Sequence, residues 1–474
     1  YKYNYQYLYG EKTGFPFGGL YELDAATTVS NASSYSNNYA IESYFTRLNY
    51  DFNDKYYLSA SYRKDGTSRF KKEVRWGDFW SVGASWRLSQ ESFMQGIDWL
   101  NNLTLKASYG VQGNDNIGSL YAWQAFYSLA YPNQSFPGAI VTSLENADLK
   151  WEKNNNFNIG VEGRLFDRLS ISAEYYNRIT DDMLMDFPMA VSLGFDGYSK
   201  NIGKMINSGV ELSLSMDIIK KAGFNWNMTL MGSTVKNKVL NLADKPEIIS
   251  GSYIIKEGEA LNSFYLAESA GVDPATGNKL YWVWDETNGV KGEKYISSSY
   301  QKALQSRDIA GSRMPVLYGS WANDLRYKGF DLSILTTYSV GGKMLDGVYN
   351  SLLYSTYIGQ SAHKDRLNKA WKKPGDIAEI PRIDPNGSAR ITRTSDELLD
   401  ASYFAIRNIT LGYTLPSKWA RSLRLQSLRL AITADNLHVF TALKGMDPQY
   451  NFTGGTGFSY TPVKTMSLGL DIKF

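Results

Sequence analysis

Residues 102–112 read NLTLKASYGVQ, and residues 205–218 read MINSGVELSLSMDI. In the first, Leu103, Leu105, Ala107, Tyr109 and Val111 fall on one side of a period-two repeat, with Thr104, Lys106, Ser108, Gly110 and Gln112 on the other. In the second, Ile206, Val210, Leu212, Leu214, Met216 and Ile218 oppose Asn207, Gly209, Glu211, Ser213, Ser215 and Asp217. Side chains alternate across a β-strand, so each stretch is a strand with one apolar and one polar face. The same register runs through 55–63, 78–88, 156–165, 168–176, 223–232 and 427–436. It closes the chain, with Met466, Leu468, Leu470, Ile472 and Phe474 on one face.

A soluble β-sandwich also alternates. Three features separate the two cases. The strands are long, about ten residues or more, as a tilted crossing of a bilayer requires, whereas soluble strands run nearer five or six. The polar faces carry full charges well inside strands: Lys106, Glu162, Glu174, Glu211 and Arg429. A wet lumen tolerates these, while a midplane Lys or Arg facing lipid costs about 2–4 kcal/mol. Third, the connections alternate in length. Strands are expected near 1–9, 41–51, 54–64, 77–88, 102–112, 154–166, 168–178, 205–218, 222–236, 315–327, 330–341, 402–414, 424–436 and 463–474. Links at 52–53, 167, 219–221, 328–329 and 415–423 are short. Those at 113–153, 179–204, 237–314, 342–401 and 437–462 are long. Only 65–76 and 89–101 break the contrast. Short turns on one rim and long loops on the other mark an outer-membrane barrel, with the long loops outside.

Composition agrees with this. Tyr (35), Phe (21) and Trp (12) make up 14% of the 474 residues, a mixture suited to strands and to aromatic girdles at a membrane boundary. Composition alone suits a soluble, aromatic-rich glycan-binding β protein equally well. No stretch approaches 18 apolar residues, so a membrane reading requires a closed sheet rather than a helix. The net charge of +3 is too small to argue for nucleic acid. There is no Cys, and the two His, His363 and His438, stand outside any ligand-spaced cluster, so neither disulfides nor a metal site is expected. No G-x-S-x-G elbow or P-loop is present, and no enzymatic activity or cofactor is expected. The opening YKYNYQYLYG reads as strand, with no initiator Met or signal peptide, so the chain is expected to begin within a barrel.

Stretches in order along the chain resemble the SusC/RagA class of TonB-dependent outer-membrane transporters. They are SYRKDGTSRF (61–70), RWGDFWSVGASWRLSQESFM (75–94), WLNNLTLKASYGVQGN (99–114) and LKWEKNNNFNIGVEGRLFDRLSISAEYYNRITDDML (149–184). NIGKMINSGVEL (201–212), GVDPATG (271–277), YFAIRNITLGYTLP (403–416), DNLHVFTALKGMDPQ (435–449) and YTPVKTMSLGLDIKF (460–474) complete the set. The resemblance implies a barrel of about 22 strands with a plugged lumen, of which residues 1–474 supply about 14. The plug, TonB box and N-terminal domain would lie upstream. It further implies a SusD-like surface lipoprotein as a lid, energy from TonB–ExbB–ExbD, and uptake of an oligosaccharide or peptide. Pairing as dimers of transporter and lipoprotein is implied as well.

Candidate ligand contacts are the loop aromatics Tyr121, Trp123, Tyr281, Trp282 and Trp284, whose faces suit a sugar ring or a peptide. Packing within the loops or a girdle is the blander and favoured reading. Trp80 and Trp86 lie on an apolar strand face and are expected to anchor in lipid. Asp65-Gly66-Thr67-Ser68 is expected to be turn chemistry, Gly supplying positive φ and the Asp and Ser side chains bonding local backbone. Asp273-Pro274 with Gly277 lacks the oxygen ligands of a Ca²⁺ loop and is also read as a turn. Phe474, a terminal aromatic on an amphipathic strand, resembles the signal read by barrel-assembly machinery. Loops 113–153, 237–314 and 342–401 are expected to help form the substrate chamber.

Overall fold

The computed structural model describes residues 1–19, 22–129, 131, 134, 136, 138–243, 245–287, 290–354, 359, 361–384, 393–443, 446–451, 455 and 460–474. Parts of the four loops that follow residues 112, 236, 341 and 436 therefore lie outside the described residues. Among the described residues, fourteen strands follow one another along a single sheet path. They are β1 (Lys2–Thr13), β2 (Thr28–Phe52), β3 (Tyr56–Thr67), β4 (Trp76–Arg87), β5 (Leu100–Asn114), β6 (Glu152–Leu165) and β7 (Leu169–Asp181). The path continues with β8 (Lys204–Lys221), β9 (Phe224–Thr234), β10 (Leu317–Tyr327), β11 (Phe330–Val340), β12 (Tyr403–Thr414), β13 (Ser427–Thr441) and β14 (Thr465–Lys473). Each strand expected from alternation overlaps one of these. Strand order is chain order, the up-and-down arrangement in which tight turns suffice on one rim. No described helix is long and apolar enough to cross a membrane.

The short turns are sharp for a local reason. Asn53 and Asp54 between β2 and β3, and Phe166 and Asp167 between β6 and β7, hold positive φ at the centre of tight turns closed by Lys55 N donating to Phe52 O and Arg168 N to Leu165 O. The link between β12 and β13 is capped by a short helix, Ser417–Ser422.

Cross-strand registers set the two faces. On β2 and β3, Phe52 pairs with Tyr56, Tyr50 with Leu58, Leu48 with Ala60 and Thr46 with Tyr62, giving one apolar exposed face. Trp80, Val82 and Trp86 on β4, Val210, Leu212 and Met216 on β8, and Leu430 and Ile432 on β13 are exposed in the same way. The alternate face carries ion pairs. Lys106 and Glu162 lie 2.5 Å apart across β5 and β6, and both remain about half exposed. Arg429 on β13 reaches Asp331 on β11 at 2.5 Å, passing over Gly412 of the intervening β12. A Cβ at Gly412 would stand 2.3 Å from the Arg429 guanidinium, so only glycine lets this pair form. Charge on the apolar parity of β2–β4 occurs toward the loop ends of the strands. There the Tyr44 hydroxyl donates to Glu42, the Tyr62 hydroxyl to Asp78, and Lys64 lies 3.6 Å from Asp78. That band marks the upper rim.

Beyond the rim, β2 continues. It is 25 residues long, roughly 80 Å at about 3.3 Å per residue, far more than a tilted crossing of a hydrocarbon layer about 30 Å thick. Ile41–Phe52 pairs with β3, and Thr28–Ala40 pairs with β1 as a two-stranded ribbon. Where β3 ends, side chains take over the ribbon's backbone. Ser68 Oγ accepts from Ala40 N at 2.9 Å, and the Tyr121 hydroxyl accepts from Asn38 N at 2.7 Å. Tyr1, Tyr3, Tyr5, Tyr7 and Tyr9 occupy one face of the ribbon together with Tyr35 and Tyr39 of β2. The rings of Tyr7 and Tyr35 stack at 5.0 Å.

Asp65-Gly66-Thr67-Ser68 departs from its expected turn. Asp65, Gly66 and Thr67 finish β3, and Gly66 is not among the positive-φ positions. Gly66 is needed for space: a Cβ there would sit 2.9 Å from the Trp76 indole. Asp65 accepts from Arg63 Nε at 2.7 Å rather than from local backbone, and Ser68 serves the distant Ala40 N–H.

The chain divides into two compact units. One comprises Tyr1–Ala84, Ser108–Phe157 and Arg178–Lys204, and the other Ser85–Ala107, Asn158–Asn177 and Met205–Phe474.

Candidate functional site

In the first unit the loop side is organised around an aromatic core and one carboxylate. Phe70, Phe79, Leu149 and Trp151 are buried together, with Trp151 edge-on to Phe79 at 5.2 Å. The Trp151 indole N–H donates to Arg75 O at 2.7 Å. Beside this core Asp115 gathers three side chains. Thr67 Oγ1 donates to it at 2.6 Å, the Tyr39 hydroxyl at 3.1 Å, and Arg69 Nη1 lies 3.5 Å away. The Arg69 guanidinium also covers the Tyr39 ring, 4.9 Å from its centroid. A charge this enclosed is tolerated because it is paired and hydrogen-bonded. Of the sequence candidates here, Trp123 packs against the aromatic core, and its indole nitrogen is buried with no hydrogen-bond partner among the described residues. Tyr121 props the ribbon through Asn38, and its ring meets Phe126 edge-on.

In the second unit the chain between β9 and β10 folds into small sheets. Glu247–Ser250, Tyr253–Lys256, Ser263–Leu266 and Asp308–Gly311 form one, and Glu268–Val272, Lys279–Thr287 and Val290–Ser297 another. The helix Tyr300–Gln305 follows, its N-terminus capped by Ser299 Oγ accepting from Lys302 N. Alternation along 279–287 sorts three of the candidates. Tyr281 is 2% exposed and packs with Val283, Ala267 and Ala303. Trp282 and Trp284 occupy the opposite, half-buried face. The Trp284 ring is flanked by Lys291 at 5.1 Å and Lys294 at 4.8 Å, which are themselves tied to Asp308 and Glu268. Ammonium groups over an aromatic ring are favoured by cation–π attraction.

This sheet is clasped to the chain between β11 and β12. Lys279 is 4% exposed and ion-paired to Asp396, which also accepts from Thr394 Oγ1 at 2.5 Å. Burial would raise the Asp396 carboxyl, but the Lys279 charge and these hydrogen bonds overcome that and hold it below the usual carboxylate range. Ser395 N donates to Ala267 O at 3.0 Å, and Ser269 N to Ser395 Oγ at 3.2 Å. A second clasp forms at GVDPATG. Asp273 closes a turn by accepting from Thr276 Oγ1 and Ala275 N, which lowers its carboxyl, so the expected turn is present. The Trp371 indole N–H donates to Pro274 O at 2.9 Å, and Arg382 N donates to Gly277 O at 2.8 Å. A cavity of about 350 Å³ lies nearby, lined by Lys369, Lys372, Asp376 and Glu379 among others. Among the described residues no group of three or more His, Asp or Glu could hold a metal ion.

Residues 1–437 match the family described as TonB dependent receptor-like, beta-barrel. This chain belongs to that family. TonB-dependent receptor P3 of Formosa agariphila is 30% identical over 95% of this chain and 47% of its own length. TonB-dependent receptor SusC of Bacteroides thetaiotaomicron is 28% identical over 93% of this chain and 44% of its own. The solved RagAB peptide transporter superposes over 100% of this chain and 52% of its own with a TM-score of 0.87 at 28% identity. The chain thus spans about half the length of these relatives. The SusC/RagA resemblance and the antiparallel outer-membrane β-barrel fold stand, and the protein resides in the outer membrane. The family is one of receptors and transporters.

Within this TonB-dependent barrel the five candidate aromatics are divided between the two units. Tyr121 and Trp123 belong to the first unit, and the three others to the second. Sequence reading missed the Lys279–Asp396 clasp, the Asp115 node and the projecting tyrosine ribbon. The ribbon alone carried a visible signal, the alternate tyrosines of YKYNYQYLY. Phe474 follows β14 directly and is exposed, at the end of an apolar row of Met466, Leu468, Leu470 and Ile472.

Proposed function

We propose that residues 1–474 form the C-terminal part of the barrel wall, with its outer loops, of a TonB-dependent importer of nutrient oligomers. The cargo is an oligosaccharide or a peptide. A SusD-like lipoprotein closes over the loops, and an upstream plug and TonB box couple the pore to TonB–ExbB–ExbD. The protein has no enzymatic role in this reading. The observation that carries it is the pair of sheet faces. Lys106–Glu162 and Arg429–Asp331 remain 30–47% exposed on one face while the alternate face is apolar. Charges held open in this way belong to a water-filled passage. The relatives support the rest, since one is named SusC and another is a peptide transporter. Phe474 serves as the assembly signal, and Trp282 offers a ring face to cargo at the loop surface, while Lys291 and Lys294 already sit over the Trp284 ring.

Mass spectrometry of the complex drawn from native membrane in mild detergent tests this. A chain much heavier than 53.4 kDa carrying upstream plug peptides, together with a lipoprotein, is expected. A lone 53.4 kDa chain, soluble without detergent, would instead support the glycan-binding β protein.

A further inference from the structure

We infer that the inner face of the β1–β2 ribbon is a tyrosine track that binds an uncharged oligosaccharide outside the membrane, ahead of the pore. This rests on the importer reading and specifies its cargo.

Position comes first. Glu42, Lys64 and Asp78 mark the upper rim, and Thr28–Ala40 of β2 lies past it, paired only with β1. Parity comes second. The lipid-facing row of β2 runs through Phe52, Tyr50, Leu48 and Tyr44, all even positions. No register shift interrupts β2 between these and Ser33. The even positions of the ribbon are Ala40, Asn38, Ser36 and Ser34, paired with Lys2, Asn4, Gln6 and Leu8. The tyrosines occupy the opposite parity, shared with the lumen-facing Arg63 and Asp65. They therefore are not a lipid girdle, which would need the even row. Tyr39 confirms the direction by bonding Asp115 on that side.

Chemistry comes third. Arg69 and Asp115 close the base of the face at Tyr39; from Tyr5 to Tyr9 it holds no charge, and Glu11 near the tip is bonded by the Tyr9 hydroxyl at 2.8 Å. Asn37, Ser33 and Asn31 fill the gaps between rings. Cross-strand stacking accounts for Tyr35 against Tyr5 and Tyr7, at 5.9 and 5.0 Å. It leaves the row accessible, with Tyr3 44%, Tyr5 39% and Tyr35 51% exposed. Rings recur every two residues, about 6.5–7 Å apart. A row of flat apolar faces with hydroxyl edges and no charge complements a chain of sugar rings, which are apolar on their faces and hydroxylated at their edges. Between Tyr5 and Tyr9 a peptide with ionised side chains or termini would find no counter-charge.

The test uses the full-length transporter, with any co-purifying lipoprotein, in lipid nanodiscs. The probes are uncharged linear hexasaccharides of glucose, galactose and mannose, and an uncharged hexapeptide, followed by saturation-transfer NMR and calorimetry. The triple variant Tyr5→Val/Tyr7→Val/Tyr35→Val keeps strand propensity and removes the rings. It should weaken binding of at least one hexasaccharide about tenfold or more. The matching Tyr→Phe triple should retain most of the affinity, and the outer-face control Gln6→Ala/Leu8→Ala all of it. If the valine triple fails to assemble, Tyr7→Val alone carries the comparison. The inference is overturned if no hexasaccharide binds the wild type, if the valine variants bind unchanged, or if only the peptide depends on the rings. Uptake of a peptide unaffected by the valine triple would remove the track and leave the importer standing. Absence of any upstream plug would remove the importer itself.

Discussion

Replacing Asp396 with alanine would leave the Lys279 ammonium inside the folded loops with no counter-charge. The lysine is 4% exposed, so water cannot take the carboxylate's place from its own side. Breaking a fully buried pair by removing one partner costs about 3–5 kcal/mol. Asp396 is 44% exposed, so solvent enters from its side once it is truncated, and the cost falls to about 2–3 kcal/mol. That energy would appear as local opening of the clasp, not as loss of the barrel. Amide exchange across Glu268–Val272 and Lys279–Thr287 should accelerate about 30- to 160-fold, while β9–β11 amides stay protected. Lys279→Met removes the buried charge at nearly constant volume. It leaves a half-exposed carboxylate still bonded to Thr394, so the cost should be about 1 kcal/mol or less. Hydrogen–deuterium exchange on the two variants reads the difference directly. Equal acceleration, or greater damage from Lys279→Met, would refute the asymmetry.

Three further outcomes follow from the same geometry. Gly412→Ala should separate Arg429 from Asp331 and lower barrel stability by about 1–2 kcal/mol, the range for a charged hydrogen bond that is partly exposed. Heat-modifiability in detergent measures this, and a neutral effect would deny that the pair crosses β12. Leu212→Arg, on the lipid face of β8, should cost about 2–4 kcal/mol while Ser213→Arg on the lumen face costs little; similar losses in the same assay would contradict the parity. The Asp396 carboxyl lies below its usual range, so its contribution is complete above the ordinary carboxylate pKa of about 3.9 and is lost as pH falls through its lower folded value. Protease resistance of the clasp should therefore hold from pH 7 to pH 5 and fail only in stronger acid. Failure between pH 7 and 5 would point to another group.

The strands that cross the membrane were legible because lipid on one side and water on the other force an apolar–polar contrast at every second residue. β8 and β14 show that contrast in full. β2 was read only as 41–51, although it begins at Thr28. Its outer half, TVSNASSYSNNYA, meets water on both faces, so no such contrast marks it. Gly66 was misread because Asp-Gly is a turn signal locally, while the Trp76 ring that requires the glycine comes from the next strand. The loops were opaque for a related reason. Lys279 and Asp396 are 117 residues apart, and neither a buried lysine nor its partner announces itself in a polar loop. Tyr281, Trp282 and Trp284 were read together as loop aromatics, and the alternation along 279–287 that encloses Tyr281 and leaves the two tryptophans half-buried was not used.

In this fold the short turns face the periplasm and the folded loops face outside. The 474 residues contain no cysteine, so single cysteines can be introduced cleanly into this part of the full-length protein. Ala275→Cys, in the exposed GVDPATG turn, and Lys328→Cys, in the turn between β10 and β11, should be treated in intact cells with a membrane-impermeant maleimide. Labelling of position 275 in intact cells, and of position 328 only after the outer membrane is permeabilised, is the predicted result. Equal labelling of both in intact cells, or the reverse order, would contradict it.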